Sequence, residues 1–138
     1  MRRRIRQPSL RRGVCWALLS CGALLGCGEA PLPLCTVEGV VRLDGEPVPE
    51  GYLIFYPLDD GLDAEATAFQ NGSFSLEVHP GKKRVEITAQ RPIPGSKGMY
   101  GEPEVEQYIP VRYNRDSELT IEVKPEQANQ FSFRMDSE

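Results

Sequence analysis

"ATAFQNGSFSLEV", Ala66 to Val78, decides how the rest of the chain is read. Its second half alternates strictly: Phe74, Leu76 and Val78 fall on one side, Ser73, Ser75 and Glu77 on the other. A helix would return its apolar residues every three or four positions, so period two specifies a half-buried strand. Asn71-Gly72, just upstream, supplies the positive φ that a two-residue hairpin turn requires. The run Ala64 to Phe69 then reads as the other arm, a weaker strand poor in large residues.

The same alternation recurs outward in both directions. Arg84 to Ala89 and Glu118 to Val123 repeat it, and Gln130 to Met135 closes the chain with it. Upstream, Thr36 to Leu43 puts Val37, Val41 and Leu43 together. Tyr52 to Tyr56 is apolar on both faces, as a central strand would be. Asp44-Gly45 is a second tight turn, and His79-Pro80-Gly81-Lys82 is expected to separate two strands in the same way. No helical stripe is sustained anywhere in this body. The expectation is an all-β domain of seven short strands, in two antiparallel sheets packed face to face as a β-sandwich.

Charge and hydropathy set the first segment apart. Six arginines precede Cys27 without one acid, whereas ten Lys/Arg face twenty Asp/Glu from Cys27 onward. Val14 to Gly26 is mostly apolar but reaches only about 20 Å as a helix, short of the roughly 30 Å hydrocarbon core. Basic-then-apolar order at this length fits an export signal better than a permanent span. Leu24-Leu25-Gly26-Cys27 resembles the bacterial lipoprotein signal, in which the thiol after small residues is acylated and becomes the new N-terminus. Leu18-Leu19-Ser20-Cys21 is a second candidate with a shorter apolar run before it. The division expected is therefore a signal peptide at 1–26, an acylated Cys27 and tether at 27–35, and a β-domain at 36–138. The tether from Gly28 to Cys35 spans roughly 25 to 30 Å when extended. Cys15 and Cys21 would leave with the signal, so Cys35 remains a lone thiol. The acidic body gives no electrostatic reason to hold nucleic acid.

Candidate chemistry is sparse. His79 is the single histidine and lacks the partners a zinc site needs. No Gly-x-Ser-x-Gly elbow occurs. Asp59, Asp60, Asp63 and Glu65 form the best metal candidate, since calcium favours clustered carboxylates, but the spacing matches no EF-hand. A Lys-Asn intramolecular bond would want an early-strand lysine, and Arg42 stands there instead. Arg91 to Gln107 is long, with three prolines and three glycines, and loops of this length in compact domains are usually functional or disordered. Tyr100, Tyr108 and Tyr113 lie in or beside it. They could stack on a sugar or a protein partner, or they could cap the domain with buried rings and wet hydroxyls.

"VEGVVRLDGEPVPEGYLIFYP", Val37 to Pro57, resembles the opening of a carboxypeptidase regulatory-like domain through Gly39, Leu43, Asp44-Gly45, Pro47-Val48-Pro49, Gly51 and Phe55. Asn71-Gly72, Phe74, Pro80-Gly81 and Val85 are similar to its later strands. Ile109-Pro110, Tyr113-Asn114, Ser117, Leu119-Thr120 and Val123 look like the small lipoproteins with this domain in planctomycete bacteria. The resemblance covers Cys27 to the C-terminus and implies a transthyretin-like Greek-key sandwich. It implies no chemistry of its own. The expected function is that of a cell-envelope lipoprotein held to a membrane by its lipid, presenting a non-catalytic sandwich in a structural or protein-binding role, without cofactor. The alternative is a carbohydrate-binding module of the envelope surface. Gly28 after the anchor favours the outer membrane or cell surface by analogy.

Overall fold

The computed structural model describes residues 33–59 and 61–138. The signal segment, Cys27, most of the tether and Asp60 lie outside the described residues. Within them the chain is all-β. In order come β1 (Cys35–Leu43), β2 (Glu46–Pro47), β3 (Glu50–Pro57), β4 (Glu65–Gln70), β5 (Ser73–Val78), β6 (Gly81–Thr88), β7 (Gln90–Pro92) and β8 (Val105–Gln107). A single 3-10 turn at Val111–Tyr113 is followed by β9 (Thr120–Val123) and β10 (Asn129–Met135). The seven strands expected from alternation correspond to β1, β3, β4, β5, β6, β9 and β10.

Hydrogen bonding links these into one sheet of order β10-β1-β5-β4-β3-β6-β9, with β2 beside β1. The sheet is strongly curled, and burial shows why. Val37, Val78, Leu53, Phe55, Val85 and Ile87 are wholly buried although no helix among the described residues covers them. The sheet's own opposite half, with Tyr108, Ile109 and Tyr113 at one end, excludes that water. β4 and β5 meet at a single pair, Gln70–Ser73, so the sheet bends there. Asn71 and Gly72 both take positive φ, 51° and 72°, as the sequence requires of a tight turn. Phe74 of β5 then bridges the fold, 6.3 Å from the Phe55 ring of β3 and 5.9 Å from the Phe133 ring of β10. Gly39 on β1 admits this packing: a Cβ there would collide with the Phe74 ring and the Phe131 carbonyl.

Three features differ from the sequence expectation. β10 runs parallel to β1, from Val37–Asn129 to Leu43–Met135, so the pairing is not antiparallel throughout. The Arg91–Gln107 loop stands on a short β-ribbon, Gln90–Gln107 to Pro92–Val105, which local alternation does not announce. His79-Pro80 is not a hairpin turn either. β5 pairs with β1 and β4, whereas β6 pairs with β3 and β9. Those two residues therefore carry the chain from one half of the curled sheet to the other, which local alternation cannot distinguish from a turn.

Phe74→Ala is expected to lower unfolding free energy by about 3–5 kcal/mol, because the ring joins both halves of the core. Urea unfolding measures it, and a loss under about 1 kcal/mol would mean that the halves do not share one core.

Candidate functional site

The three tyrosines do not converge on one site. Tyr108 and Tyr113 pack half-buried against the core. The Arg91 guanidinium lies 5.2 Å over the Tyr108 ring, and Arg112 lies 4.9 Å over Tyr113. Burial raises the Tyr108 phenol pKa, against the lowering effect of Arg91. The Tyr113 hydroxyl accepts the Asp136 N–H at 3.4 Å. Arg112 donates to the Asp136 carbonyl at 2.6 Å and to the Glu138 carbonyl. Asp44 accepts the Ser137 N–H at 2.9 Å, which holds its carboxyl below the usual range. Tyr108 and Tyr113 thus serve the end of the domain where the chain's last residues fold back.

Tyr100 is different. It stands with Met99 at the ribbon's turn, each 89% exposed. The turn is internally bonded: Gly101 N–H donates to the Gly98 carbonyl at 3.1 Å, and Gly98 N–H to the Glu102 carbonyl at 2.6 Å. Lower down, the Ser96 hydroxyl donates to the Ile93 carbonyl and accepts the Glu104 N–H. Arg91 and Glu106 form an ion pair across the ribbon at 2.7 Å. Two large side chains are consequently offered to solvent on an ordered support.

The acidic segment also divides. Asp59 and Asp63 are exposed, while Glu65 turns inward from the first position of β4. Its Oε2 accepts from the Lys83 ammonium at 2.6 Å. Its Oε1 accepts both the His79 backbone N–H and the His79 ring, at 2.7 Å each. Burial pushes the Glu65 carboxyl up, but the bonds from Lys83 and His79 outweigh it and leave the pKa below its ordinary value. An ionised carboxylate only accepts, so His79 Nδ1 carries the proton. Lys83, on the inner row with Val85 and Ile87, is 1% exposed. Among the described residues no group of three His, Cys, Asp or Glu side chains is placed to hold a metal ion.

Sequence reading missed this cluster, although one signal was present. Lys83 is in phase with Val85 and Ile87, and Glu65 with Phe69, which places both on inward-facing positions. The cluster joins β4, β6 and the crossover between β5 and β6. Its carboxylate is fully occupied, so it works as a lock rather than as a free acid or base. Cys35 is a buried free thiol opposite Val78. Among the described residues no helix is long and apolar enough to cross a membrane. Comparison with family models, curated proteins and solved structures gives no match to this chain.

Glu65→Gln leaves the buried Lys83 charge uncompensated and is expected to cost about 3–5 kcal/mol. Pairing it with Lys83→Met removes that charge and should recover most of the loss in urea unfolding; a double variant no better than the single would remove the ionic explanation. Because the folded pKa of Glu65 lies below its ordinary 4.5, its contribution is complete above that pH and is lost as pH falls through the folded value. Wild-type stability should therefore drop more steeply than that of Glu65→Gln as the solution is acidified below about pH 4.5.

Proposed function

We propose that this chain is an exported cell-envelope lipoprotein whose β-domain is a non-catalytic protein-binding module. The observation that carries the reading is the Met99–Tyr100 turn. Scattered exposed apolar residues are ordinary on protein surfaces. Here two large ones sit side by side, 89% exposed, on a hydrogen-bonded support. Presenting them already ordered lowers the entropy lost on binding. Tyrosine and methionine both suit protein contact, the first as a rigid anchor and the second as an adaptable one.

The sugar-binding alternative draws less support. A glycan platform wants free ring faces, but guanidinium groups lie over Tyr108 and Tyr113. Tyr100 is then one isolated ring. A hydrolytic role likewise draws little, because the imidazole is committed to Glu65 and no serine hydroxyl among the described residues bonds to it.

The domain is proposed to be a Greek-key sandwich of the carboxypeptidase regulatory-like kind. The spatial order β6-β3-β4-β5 supports this, since the fourth strand returns beside the first of three consecutive ones. The single β4–β5 pair supports two sheets joined at one corner. The acylated Cys27 is proposed from the apolar run that stops at Gly26-Cys27 and the charge break beside it. One lipid-modified cysteine with a short tether would keep an acidic domain at the membrane surface without a spanning helix.

Two measurements test the reading. Cys27→Ser should abolish fatty-acyl labelling and move the protein to the soluble fraction; labelling that persists would overturn the anchor. A photo-crosslinking phenylalanine analogue placed at position 100 in intact cells should give a protein adduct on irradiation, whereas exclusive glycan adducts would favour the carbohydrate module.

A further inference from the structure

We infer that the Met99–Tyr100 turn, on a ribbon rooted at the end of the sheet opposite Cys35, receives a basic protein partner, one with an apolar recess rimmed by Lys or Arg. The inference rests on the protein-binding reading above and adds position and partner chemistry to it.

Position follows from strand connectivity. The described tether enters the sheet at Cys35, which lies opposite Val78 at the end of β5. Only His79 and Pro80 intervene before β6, so Gly81 starts at the same end of the sheet as Cys35. The eight residues of β6 carry the chain roughly 25 Å along the sheet at about 3.3 Å each. The ribbon leaves from there, its base fixed where the Ala89 carbonyl accepts the Tyr108 N–H at 3.2 Å. Leu43, Met135 and the last residues of the chain occupy that same far end. At the turn, Met99 and Tyr100 keep 89% of their surface in solvent. The ribbon that carries this turn is thus rooted at the end of the sheet opposite Cys35.

Charge selects among the candidate occupants. Glu102 and Glu104 flank the turn as exposed carboxylates, and among the described residues neither has an ion-pair partner within 4 Å. Lys97 is the one cation between Gly95 and Val105. From Cys27 onward acids outnumber bases twenty to ten, so a second copy of this chain would meet like charge on like charge. An anionic lipid face would be repelled in the same way. A basic rim around an apolar seat matches both the two large side chains and the two carboxylates. The carboxylates steer and set specificity, and the apolar pair supplies the buried contact.

The test uses the full-length, lipidated protein in intact cells, with the photo-crosslinking analogue at Tyr100. Glu102→Lys/Glu104→Lys should reduce the protein adduct at least about fivefold, since reversed charges meet a basic rim. Glu122→Lys/Glu126→Lys, on β9 and the connection that follows it, should leave the yield unchanged. The partner peptide mapped at the crosslink should carry net positive charge. Equal yield from the turn variant, or an acidic mapped peptide, overturns the basic partner while the protein-binding reading stands. Adducts only to lipid or to a second copy overturn the inference through the wrong occupant. No protein adduct of any kind sinks the protein-binding reading itself. All four substitutions are at exposed positions, so thermal unfolding of each variant should stay close to wild type and separates lost binding from lost fold.

Discussion

Between the last residue of β5 and the first of β6 lie only His79 and Pro80, and in that span the chain leaves one half of the curled sheet for the other. The rest of the architecture depends on that step being held. The Glu65 carboxylate holds it from β4, gripping the His79 backbone and ring with one oxygen and the Lys83 ammonium with the other. A buried ion pair is weak evidence for stability against an apolar replacement. Its value here is positional, because the same group fixes β4, the crossover and the start of β6. Both carboxylate oxygens are occupied, and among the described residues no buried side-chain polar atom lacks a partner.

Once the crossover is fixed, the sheet can close on itself without helices. Phe74 links β5 to both β3 and β10, and the wholly buried valines of β1 and β6 belong to the same core. Closure leaves two ends. At the far end Tyr108, Tyr113 and Arg112 pack against the core and the chain's last residues. The ribbon of β7 and β8 is the element that closure does not absorb. It hydrogen-bonds to itself and carries Met99 and Tyr100 into solvent. That ordered, apolar projection is what the protein-binding reading proposed above rests on.

Much of this was legible one strand at a time. Alternation located the seven principal strands, since period two reports which face each residue takes and needs only near neighbours. Asn71-Gly72 announced its turn because its conformation is intrinsic to those residues. The crossover at His79-Pro80 was misread as a hairpin: turn-forming residues end a strand but do not say what the next strand pairs with. The parallel β1–β10 pair was hidden for the same reason, as it joins segments more than ninety residues apart. The three tyrosines stood close in sequence, yet arginines claimed two of them and the ribbon carried the third away.

By itself, then, the sequence determined the all-β class, the inward rows and the tight turns, because each rests on local periodicity or on a residue's own φ preference. The tertiary structure alone decided that a lysine on an inward row is neutralised by a glutamate two strands away in the sheet, and which tyrosine faces water. Those outcomes depend on which strands become neighbours. Neighbours are chosen by closing one shared core, and no single segment carries that information.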